Sequence, residues 1–368
     1  MPNATYEALD FAEIADWYRA SGQLEALSAF GDCRHLFIDP PDDTKVAAPD
    51  RAESLAKFCQ EARLLAESEP SEQAARHFFE QRFRPHRVIH GEGNGLLTGY
   101  YEPVLKASRK KSAKFKYPLL RRPADLVDLT AQLRLDVGGQ NLTHARLNGT
   151  QLEPFPVRSA IETGVLDDQS LQFAYLDDPV DAFFLHIQGS GILEFASNER
   201  IRLGYDGKNG HPYTSIGKQA IEQGWIPADE MDLARLGSWL RSEPERGREL
   251  MWANESFVFF KELGPESEVR PTGVYDTPLT AGSSLAVDQA FHQIGLPVFV
   301  TSKDLGHSPW CSERFHRLMI AQDVGSAIVG PERGDIFFGS GDSAGLAAGQ
   351  TKNCGNLFVL LPREVRVP

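Results

Sequence analysis

The stretch Gln-Asp-Val-Gly-Ser-Ala-Ile-Val-Gly-Pro-Glu-Arg-Gly-Asp-Ile-Phe-Phe-Gly-Ser-Gly-Asp occupies residues 322–342, close to the end of the chain. Its apolar run, 335–338, has the length and composition of a short strand. Glycines recur at short intervals here and downstream, at Gly325, Gly330, Gly334, Gly339, Gly341, Gly345, Gly349 and Gly355. Strands this short with this many glycines favour a small closed barrel with tight crossings over an open sheet.

Three aspartates of this stretch, Asp323, Asp335 and Asp342, lie beside glycines and the apolar run. Aspartate next to glycine is common in turns, so each of them alone indicates little. A carboxyl group beside Ile336 and Phe337 could be partly desolvated, which raises its pKa and keeps a proton available near neutral pH. A general acid acting on a glycosidic oxygen needs such a proton. The pattern alone leaves all three aspartates as candidates.

The composition of the whole chain indicates a globular protein. It has 368 residues, of which 41% are hydrophobic and 24% charged, and this length is enough for two ordinary domains. The formal net charge of −13 argues against DNA or RNA as a partner. One basic run departs from that total, and it is either a solvated loop or a surface that attracts an anionic polymer: Lys106, Arg109, Lys110, Lys111, Lys114, Lys116, Arg121 and Arg122.

Several other kinds of site are poorly supported by the sequence. The four cysteines, Cys33, Cys59, Cys311 and Cys354, form no C-x-x-C pair, and the ten histidines do not cluster at metal-ligand spacing, so no metal is expected. No nucleotide-binding motif occurs, and we expect no cofactor. No apolar run is long enough to span a membrane, and Met1 to Ala20 is acidic and unlike a signal peptide.

Hydrophobic spacing predicts an arrangement of helices and strands along the chain. It predicts helices over residues 6–30 and over 51–83, the latter broken at Pro70-Ser71, with Ser71 as N-cap of its second part. Short strands are predicted from about residue 88 to 210, including 96–101, 171–175 and 182–187, and helices near 214–223 and 228–242. The polar segment 242–248 is predicted to be a domain boundary. Strands follow at 257–260, 298–301, 317–321, 335–338 and 357–361.

The segment 186–191, His-Ile-Gln-Gly-Ser-Gly, places a serine between glycines after an apolar run predicted to be a strand. It differs from the G-x-S-x-G elbow of serine hydrolases, because both glycines adjoin Ser190 directly. A nucleophilic serine also needs a histidine and an acid, and no histidine has a distinctive setting. The better interpretation of this motif is a glycine-rich turn whose backbone is accessible and can approach a sugar chain.

At this point several separate motifs, in order along the chain, resemble one family. The chain resembles the MltA class of membrane-bound lytic murein transglycosylases in six stretches: Leu97–Pro103, Asp178–Gly191, Asn209–Gly217, Asn254–Phe260, Pro278–Asp288 and 322–342. The resemblance implies a mainly β protein with N-terminal helices, in which a double-psi β-barrel domain and an inserted β-rich domain border a substrate groove. The barrel domain would comprise residues 1–103 and 246–368, and the insertion 104–245.

The resemblance also implies an activity, namely that of a peptidoglycan lytic exotransglycosylase. By its motif position Asp335 would be the single catalytic residue, acting first as general acid on the glycosidic oxygen and then as base. Asp323 and Asp342 would give orientation and electrostatic support. Other motif positions would contact substrate: Thr98, Tyr100, Tyr101, Gln188, Gly189, Ser190 and Gly191.

Partners and location follow from the same resemblance. The expected partner is the peptidoglycan glycan strand, bound by a monomer without metal or cofactor. The expected location is the periplasm or outer membrane of a Gram-negative bacterium, with peripheral or lipid-anchored attachment, although neither an export signal nor a lipid-bearing cysteine is evident. Two alternatives stay open at this stage. One is a peptidoglycan hydrolase that uses water and two carboxylates, and the other is a non-catalytic glycan-binding barrel module.

Overall fold

A computed structural model gives the fold, and it describes residues 4–40, 49–91, 95–129, 136–137, 140–266, 268–303, 305, 308–310 and 314–363. The chain folds into two compact units. The first comprises Met1–Tyr100, Pro271–Gly339 and Ala347–Pro368, and the second comprises Tyr101–Arg270 and Ser340–Leu346. Cys33, Cys59 and Cys354 are free thiols, whereas Cys311 lies outside the described residues.

The described helices are α1 Gln23–Asp32, α2 His35–Ile38, α3 Pro49–Glu67, α4 Glu72–Arg82, α5 Arg158–Glu162, α6 Pro179–Gln188, α7 Ile216–Glu222, α8 Leu233–Ser242, α9 Pro244–Trp252 and α10 Asp342–Gln350. Short 3-10 turns occur at Phe11–Glu13, Trp17–Arg19, Asp167–Gln169 and Val274–Asp276. Each helix in the described part of the chain is either too short or too polar to cross a lipid bilayer.

The strands before the second half of the chain are β1 Thr5–Ala8, β2 Phe83–Ile89, β3 Gly95–Glu102, β4 Val104–Ser108, β5 Tyr117–Leu120, β6 Leu126–Asp128, β7 Asp136–Val137, β8 Gln140–Asn141, β9 His144–Asn148, β10 Gln151–Glu153 and β11 Gln172–Leu176. Those that follow are β12 Gly191–Phe195, β13 Arg200–Lys208, β14 Val258–Pro265, β15 Ser284–Val287, β16 Pro297–Ser302, β17 Phe315–Asp323, β18 Arg333–Ser340 and β19 Lys352–Pro362.

The first unit is built on an eight-stranded sheet with the order β1-β2-β19-β16-β17-β15-β18-β3. Strand β19 also pairs with β3, so the strands from β19 round to β3 form a closed ring. Helices of the N-terminal segment contribute aromatic rings to the core of this unit. Phe30 of α1 and Phe79 of α4 are fully buried, and both contact Phe83 of β2.

The second unit contains a six-stranded sheet with the order β14-β13-β12-β4-β11-β5 and a separate three-stranded sheet, β10-β9-β6. Four of its helices, α6, α7, α8 and α9, share a buried cluster of aliphatic and aromatic side chains, which includes Phe183, Ile216, Trp239 and Met251. The prediction of a mainly β protein with helices is confirmed. The double-psi crossing pattern stays a prediction.

The structure differs from the sequence-based expectations in three segments. Residues 182–187, predicted as a strand, belong to helix α6, because Asp178 caps its first turn, Pro179 follows the cap, and Gly189 ends it with a left-handed backbone. The first part of the helix predicted over 6–30 is instead strand β1, which pairs with β2. The predicted boundary 242–248 lies largely within helix α9, which starts at Pro244.

Two other predictions concern the N-terminal helices and the domain limits. The helix pair predicted over 51–83 is confirmed as α3 and α4, and the Ser71 side chain accepts the amide of Ala74 as predicted for an N-cap. Residues 246–270, assigned from sequence to the barrel domain, fall instead in the second compact unit, since β14 pairs antiparallel with β13. Residues 101–103 and 340–346, which the sequence also assigned to the barrel domain, fall in the second unit as well, and the domain limits stay a prediction.

Candidate functional site

Strand pairing brings two of the three candidate aspartates onto one face of the first unit's sheet. Ala286 of β15 pairs with Asp335 of β18 on one side and with Asp323 of β17 on the other. Side chains of directly paired residues project to the same face of a sheet. At the usual spacing between strands, the two aspartate Cα atoms are therefore about 10 Å apart.

Asp335 has a partly exposed side chain with one hydrogen-bond donor. The Thr98 hydroxyl donates to its Oδ1, and its Oδ2 has no hydrogen-bond partner among the described residues. Burial raises the pKa of Asp335 above its ordinary value, while the nearby Arg333 charge and the Thr98 hydrogen bond oppose that rise. The carboxyl group is thus suited to hold a proton at a higher pH than a solvated aspartate does.

Sequence reasoning did not identify Arg333. Its Nη2 donates to Thr98 Oγ1 at 2.7 Å, and its Nη1 donates to the carbonyl oxygens of Gly334 at 2.7 Å and Leu96 at 3.3 Å. Arg333 precedes Asp335 by two positions, and the period of two in a strand places both side chains on one face. That spacing is the signal that could have identified it.

Asp323, at the end of β17, is held mainly by backbone donors. Its Oδ1 accepts the amides of Val274 at 3.1 Å and Val324 at 2.9 Å. Its pKa is raised to about 6, mainly by burial and in small part by the charge of Asp335, while those two amides and the Tyr100 hydroxyl oppose the rise. Asp323 therefore ties the turn before Tyr275 to the end of the strand.

An apolar cluster beside the two carboxyl groups accounts for their desolvation. The rings of Tyr100 and Phe337 are 5.1 Å apart between centroids, and both are buried. They pack with three smaller apolar residues, Leu279, Ala286 and Ile328. Phe337 follows Asp335 by two positions on the same strand, so it lies on the same face. A low-dielectric neighbourhood of this kind disfavours the charged form of a carboxyl group.

Candidates from the His186–Gly191 motif lie in the second unit. Gln188 ends helix α6, and its Oε1 accepts the amide of Tyr101 at 3.0 Å. Gly189 takes a left-handed backbone with φ 77°, which glycine adopts most readily. Ser190 and Gly191 are buried, and no histidine hydrogen-bonds to Ser190 among the described residues, so the hydroxyl lacks the base that a nucleophile needs.

Asp342 belongs to the second unit, unlike the other two aspartates. It begins helix α10 and is exposed. Burial raises the pKa of the Tyr101 hydroxyl, and the charges of Asp181 and Asp342 raise it further. The Tyr101 ring lies so close to Gly345 of α10 that a Cβ there would be 2.7 Å from a ring carbon. Glycine at 345 therefore permits the contact between ring and helix.

A buried carboxyl group that sequence reasoning missed, Glu102, holds the turn before Asp342. Its side chain accepts the Ser340 hydroxyl at 2.6 Å and forms an ion pair of 3.2 Å with Arg202. Its carbonyl oxygen accepts the amide of Gly341 at 2.9 Å. Burial raises the pKa of Glu102, and both side-chain partners oppose that rise. The network fixes the start of helix α10.

Four of the eight basic residues of the run at 106–122 pair with acidic neighbours of the second unit. Arg109 and Arg121 both contact Glu262, at 2.8 Å and 3.1 Å. Arg122 pairs with Asp128 at 2.7 Å, and Lys114 with Asp177 at 3.5 Å. For these four residues the partners favour the interpretation of a solvated, internally balanced surface.

The structure thus divides the predicted site residues into two groups. Thr98, Tyr100, Asp323 and Asp335 are brought together in the first unit, while Tyr101, Gln188, Gly189, Ser190, Gly191 and Asp342 belong to the second. In the described part of the chain, His, Cys, Asp and Glu form no group of three or more that could hold a metal ion.

Comparison with known proteins identifies the family. Residues 96–261 match the family model described as the MltA specific insert domain, and residues 283–361 match the model described as the 3D domain. A solved structure named membrane-bound lytic murein transglycosylase, from Agrobacterium tumefaciens, is 32% identical, with a TM-score of 0.86 and 98% of each chain covered. The chain belongs to the MltA family.

Two further members add detail. The membrane-bound lytic murein transglycosylase A of Vibrio cholerae is 31% identical over 272 residues, or 73% of this chain. The chain spans 66% of the length of that relative. The crystal structure of Escherichia coli MltA with bound chitohexaose is 25% identical, has a TM-score of 0.68 and covers 98% of this chain and 94% of its own. These proteins share the MltA fold and family with the present chain.

Proposed function

We propose that this protein is a lytic transglycosylase that cleaves the β-1,4 bond between N-acetylmuramic acid and N-acetylglucosamine in peptidoglycan. The product would be a 1,6-anhydro-muramic end. The observation that carries the proposal is the setting of Asp335, a partly exposed carboxyl group with a raised pKa and one oxygen without a partner among the described residues. Membership of a family whose named relatives are murein transglycosylases supports it.

In the proposed reaction, one carboxyl group performs two steps in sequence. Protonated Asp335 donates its proton to the glycosidic oxygen while the bond from that oxygen to muramic C1 breaks. The Asp335 carboxylate then removes the proton of the muramic C6 hydroxyl as O6 forms the new bond to C1. Asp335 ends protonated again, and no water is consumed. A raised pKa favours both steps, because the group keeps its proton to a higher pH for the first step and is a stronger base in the second.

The positive charge that develops at C1 needs stabilising during the reaction. The ionised carboxyl group of Asp323 would supply part of that, and the acetamido group of the substrate would supply another part. We assign Thr98 and Tyr100 to the support of the two carboxyl groups in the first unit. Gln188, Gly189, Ser190, Gly191, Tyr101 and Asp342 are proposed to contact or orient the glycan.

A hydrolase that uses water is the second candidate, and one observation favours it. Asp323 and Asp335 both pair with Ala286, at a separation that could leave room for a water molecule between two carboxyl groups. Against it, Oδ1 of Asp323 already accepts two backbone amides, which hold this group away from the role of a mobile base. The two reactions differ in product, so product analysis distinguishes them.

The deciding experiment digests isolated peptidoglycan sacculi with the protein and analyses the released fragments by mass spectrometry. We expect anhydro-muropeptides from the unaltered protein and a release reduced by roughly 10²–10⁴-fold from Asp335→Asn. Asp167→Asn, a change at an exposed aspartate, is the matched control. Reducing ends in place of anhydro ends would establish the hydrolase. Intact strands from the unaltered protein would indicate a glycan-binding module without catalysis.

The remaining parts of the proposal concern cleavage position, assembly and location. We propose exo-type cleavage by a monomer without metal or cofactor, in a double-psi barrel fold, at the periplasm or outer membrane. Family relatives are named as membrane-bound, which supports the location. Treatment with a metal chelator should leave the release of anhydro-muropeptides unchanged, and its loss on chelation would remove the metal-free mechanism.

A further inference from the structure

The hydroxyl group of Thr98 has two partners, one of which sets the direction of its proton. Arg333 Nη2 donates to Thr98 Oγ1 at 2.7 Å, and Thr98 Oγ1 also contacts Oδ1 of Asp335. A guanidinium group has donors only and carries no acceptor, so the hydroxyl oxygen must act as acceptor toward it. A hydroxyl group has a single hydrogen to donate. That hydrogen is therefore directed to Asp335.

The position of Arg333 is itself fixed by the backbone. Its Nη1 donates to the carbonyl oxygens of Gly334 and Leu96, one on its own strand and one on the strand that carries Thr98. These two bonds hold the planar guanidinium group in register with both strands. A planar donor group with several fixed directions suits this task better than a flexible ammonium group.

We propose that Arg333 is a positioning residue that acts through Thr98 to make Oδ1 of Asp335 a permanent hydrogen-bond acceptor. The transferable proton of Asp335 is then confined to Oδ2. This inference rests on the proposed function, because it specifies which oxygen of the proposed acid exchanges the proton. It adds to that function two side chains, Arg333 and Thr98, that orient Asp335 and that the substrate does not need to contact. We call this pair the relay.

The consequence for the reaction is a fixed geometry in both steps. Oδ1 accepts from Thr98 whether Asp335 is protonated or ionised, so the relay does not rearrange when the proton leaves. Oδ2, which has no partner among the described residues, alone donates to the glycosidic oxygen and later accepts from the C6 hydroxyl. A catalytic group whose orientation is fixed beforehand loses little free energy to reorganisation in the transition state.

The test compares four variants by the pH dependence of anhydro-muropeptide release from isolated sacculi. Thr98→Val and Arg333→Gln remove the relay, whereas Thr98→Ser keeps the hydroxyl and Arg333→Lys keeps the charge without the planar fork. We expect a loss of roughly tenfold to hundredfold in kcat for the first two variants, as for other misplaced catalytic groups. Thr98→Ser should retain most of the activity, and Arg333→Lys should be intermediate.

The pH profile separates a positioning role from a merely structural one. The free enzyme needs protonated Asp335, so kcat/KM falls as pH rises through its pKa. The Arg333 charge and the Thr98 hydrogen bond both lower that pKa. Removing either should raise the pKa and move the fall in kcat/KM to higher pH. A structural defect would lower the rate at all pH values and leave the position of the fall unchanged.

The matched controls are Thr301→Val on β16 and Arg84→Gln on β2, which change the same residue types on other strands of the first unit. Both should keep the unaltered rate and pH profile. If Arg333→Gln does not fold, Thr98→Val, which keeps the size of threonine without its hydroxyl, and Thr98→Ser, which keeps the hydroxyl, carry the test alone. The inference is overturned if Thr98→Val matches Thr98→Ser in both rate and profile.

Failure of the proposed function has a different signature. If Asp335→Asn keeps releasing anhydro-muropeptides, Asp335 is not the acid and the proposed function fails together with the relay. If Asp335→Asn is inactive while Thr98→Val and Arg333→Gln have unaltered rates and profiles, the proposed function stands and the relay alone is wrong.

Discussion

Asp323 and Asp335 flank the same residue of one strand and have different surroundings. Both pair with Ala286, and burial raises the pKa of both. Asp323 receives backbone amides, whose positions the fold determines, whereas Asp335 receives a side-chain hydroxyl that a neighbouring arginine orients. Backbone donors on one oxygen make a carboxyl group part of the architecture. Asp335 has a single side-chain donor, which a substitution can remove without changing the backbone, and its Oδ2 has no partner among the described residues.

The largest expected effect distinguishes the two aspartates by activity. Asp335→Asn removes the proposed acid and should reduce the initial rate of sacculus cleavage by roughly 10²–10⁴-fold, the usual contribution of general acid catalysis. Asp323→Asn should lose about tenfold or less, because an asparagine oxygen can still accept the amides of Val274 and Val324. Equal losses of cleavage rate in Asp335→Asn and Asp323→Asn would contradict the different roles assigned to the two aspartates. They would favour a reaction that uses two carboxylates.

The second prediction concerns the effect of Asp323 on stability at neutral pH. Its pKa is raised from 3.8 to about 6 in the folded protein. A raised carboxyl pKa contributes stability that is fully present below the unfolded pKa and is lost as pH rises through the folded value. Two pKa units correspond to about 3 kcal/mol. The free energy of unfolding of Asp323→Asn, relative to the unaltered protein, should therefore increase by about 3 kcal/mol between pH 3 and pH 7.

Urea unfolding at several pH values measures that difference. Asp335 also has a raised pKa, but it is present in both proteins, so most of its contribution cancels in the comparison. Asp167→Asn, at an exposed position, should run parallel to the unaltered protein at every pH. Parallel curves for Asp323→Asn as well would mean that Asp323 is solvated like an ordinary aspartate.

The third prediction concerns the residue between the two carboxyl groups. Ala286 is 3% exposed, and its small side chain shares a face with both aspartates. Ala286→Val should destabilise the protein by about 1–3 kcal/mol through overpacking, and it should change the pH dependence of activity because both carboxyl groups are displaced. Ala107→Val, at a buried site of the second unit, should cost similar stability and leave the pH dependence unchanged. If the pH dependence of activity is the same in both variants, the side chain at position 286 does not affect the environment of the two carboxyl groups.

Sequence information accounts for much of the fold, and the predictions that failed did so for physical reasons, whereas the role of Asp335 stays a prediction. Residues 182–187 are rich in aromatic and β-branched side chains, but Asp178, Pro179 and Gly189 cap a helix there, and the caps prevail over the strand propensity of the run. Strand β1 forms because β2 provides hydrogen-bond partners about 80 positions away, which a local pattern does not contain.

At the site, too, the local sequence pattern predicts some features, and others depend on residues that are distant in the sequence. The period of two along β18 suffices to place Arg333 and Phe337 on the face of Asp335. The contact of Asp335 with Thr98 joins positions 237 residues apart, and the pairing of both aspartates with Ala286 requires the sheet order. Motif resemblance selected Thr98 and Asp335 separately, whereas only the fold relates one to the other through Arg333.

The smallest expected effect refines the setting of Asp323. Tyr100→Phe removes a hydroxyl whose interaction with Asp323 lowers the pKa of that carboxyl group, and it keeps the ring that packs on Phe337. The pH at which stability is lost through Asp323 should therefore move above 6, with a net cost of about 0.5–1.5 kcal/mol near neutral pH, as for one lost hydrogen bond. Tyr18→Phe, at a tyrosine that is 58% exposed, is the matched control and should change neither quantity. Urea unfolding across the same pH range gives both values. If the pH at which this stability is lost does not change in Tyr100→Phe, the Tyr100 hydroxyl has no part in setting the pKa of Asp323. Hydrogen bonds from the backbone would then be the only ones that set the pKa of Asp323, whereas a side-chain hydroxyl contributes to the pKa of Asp335.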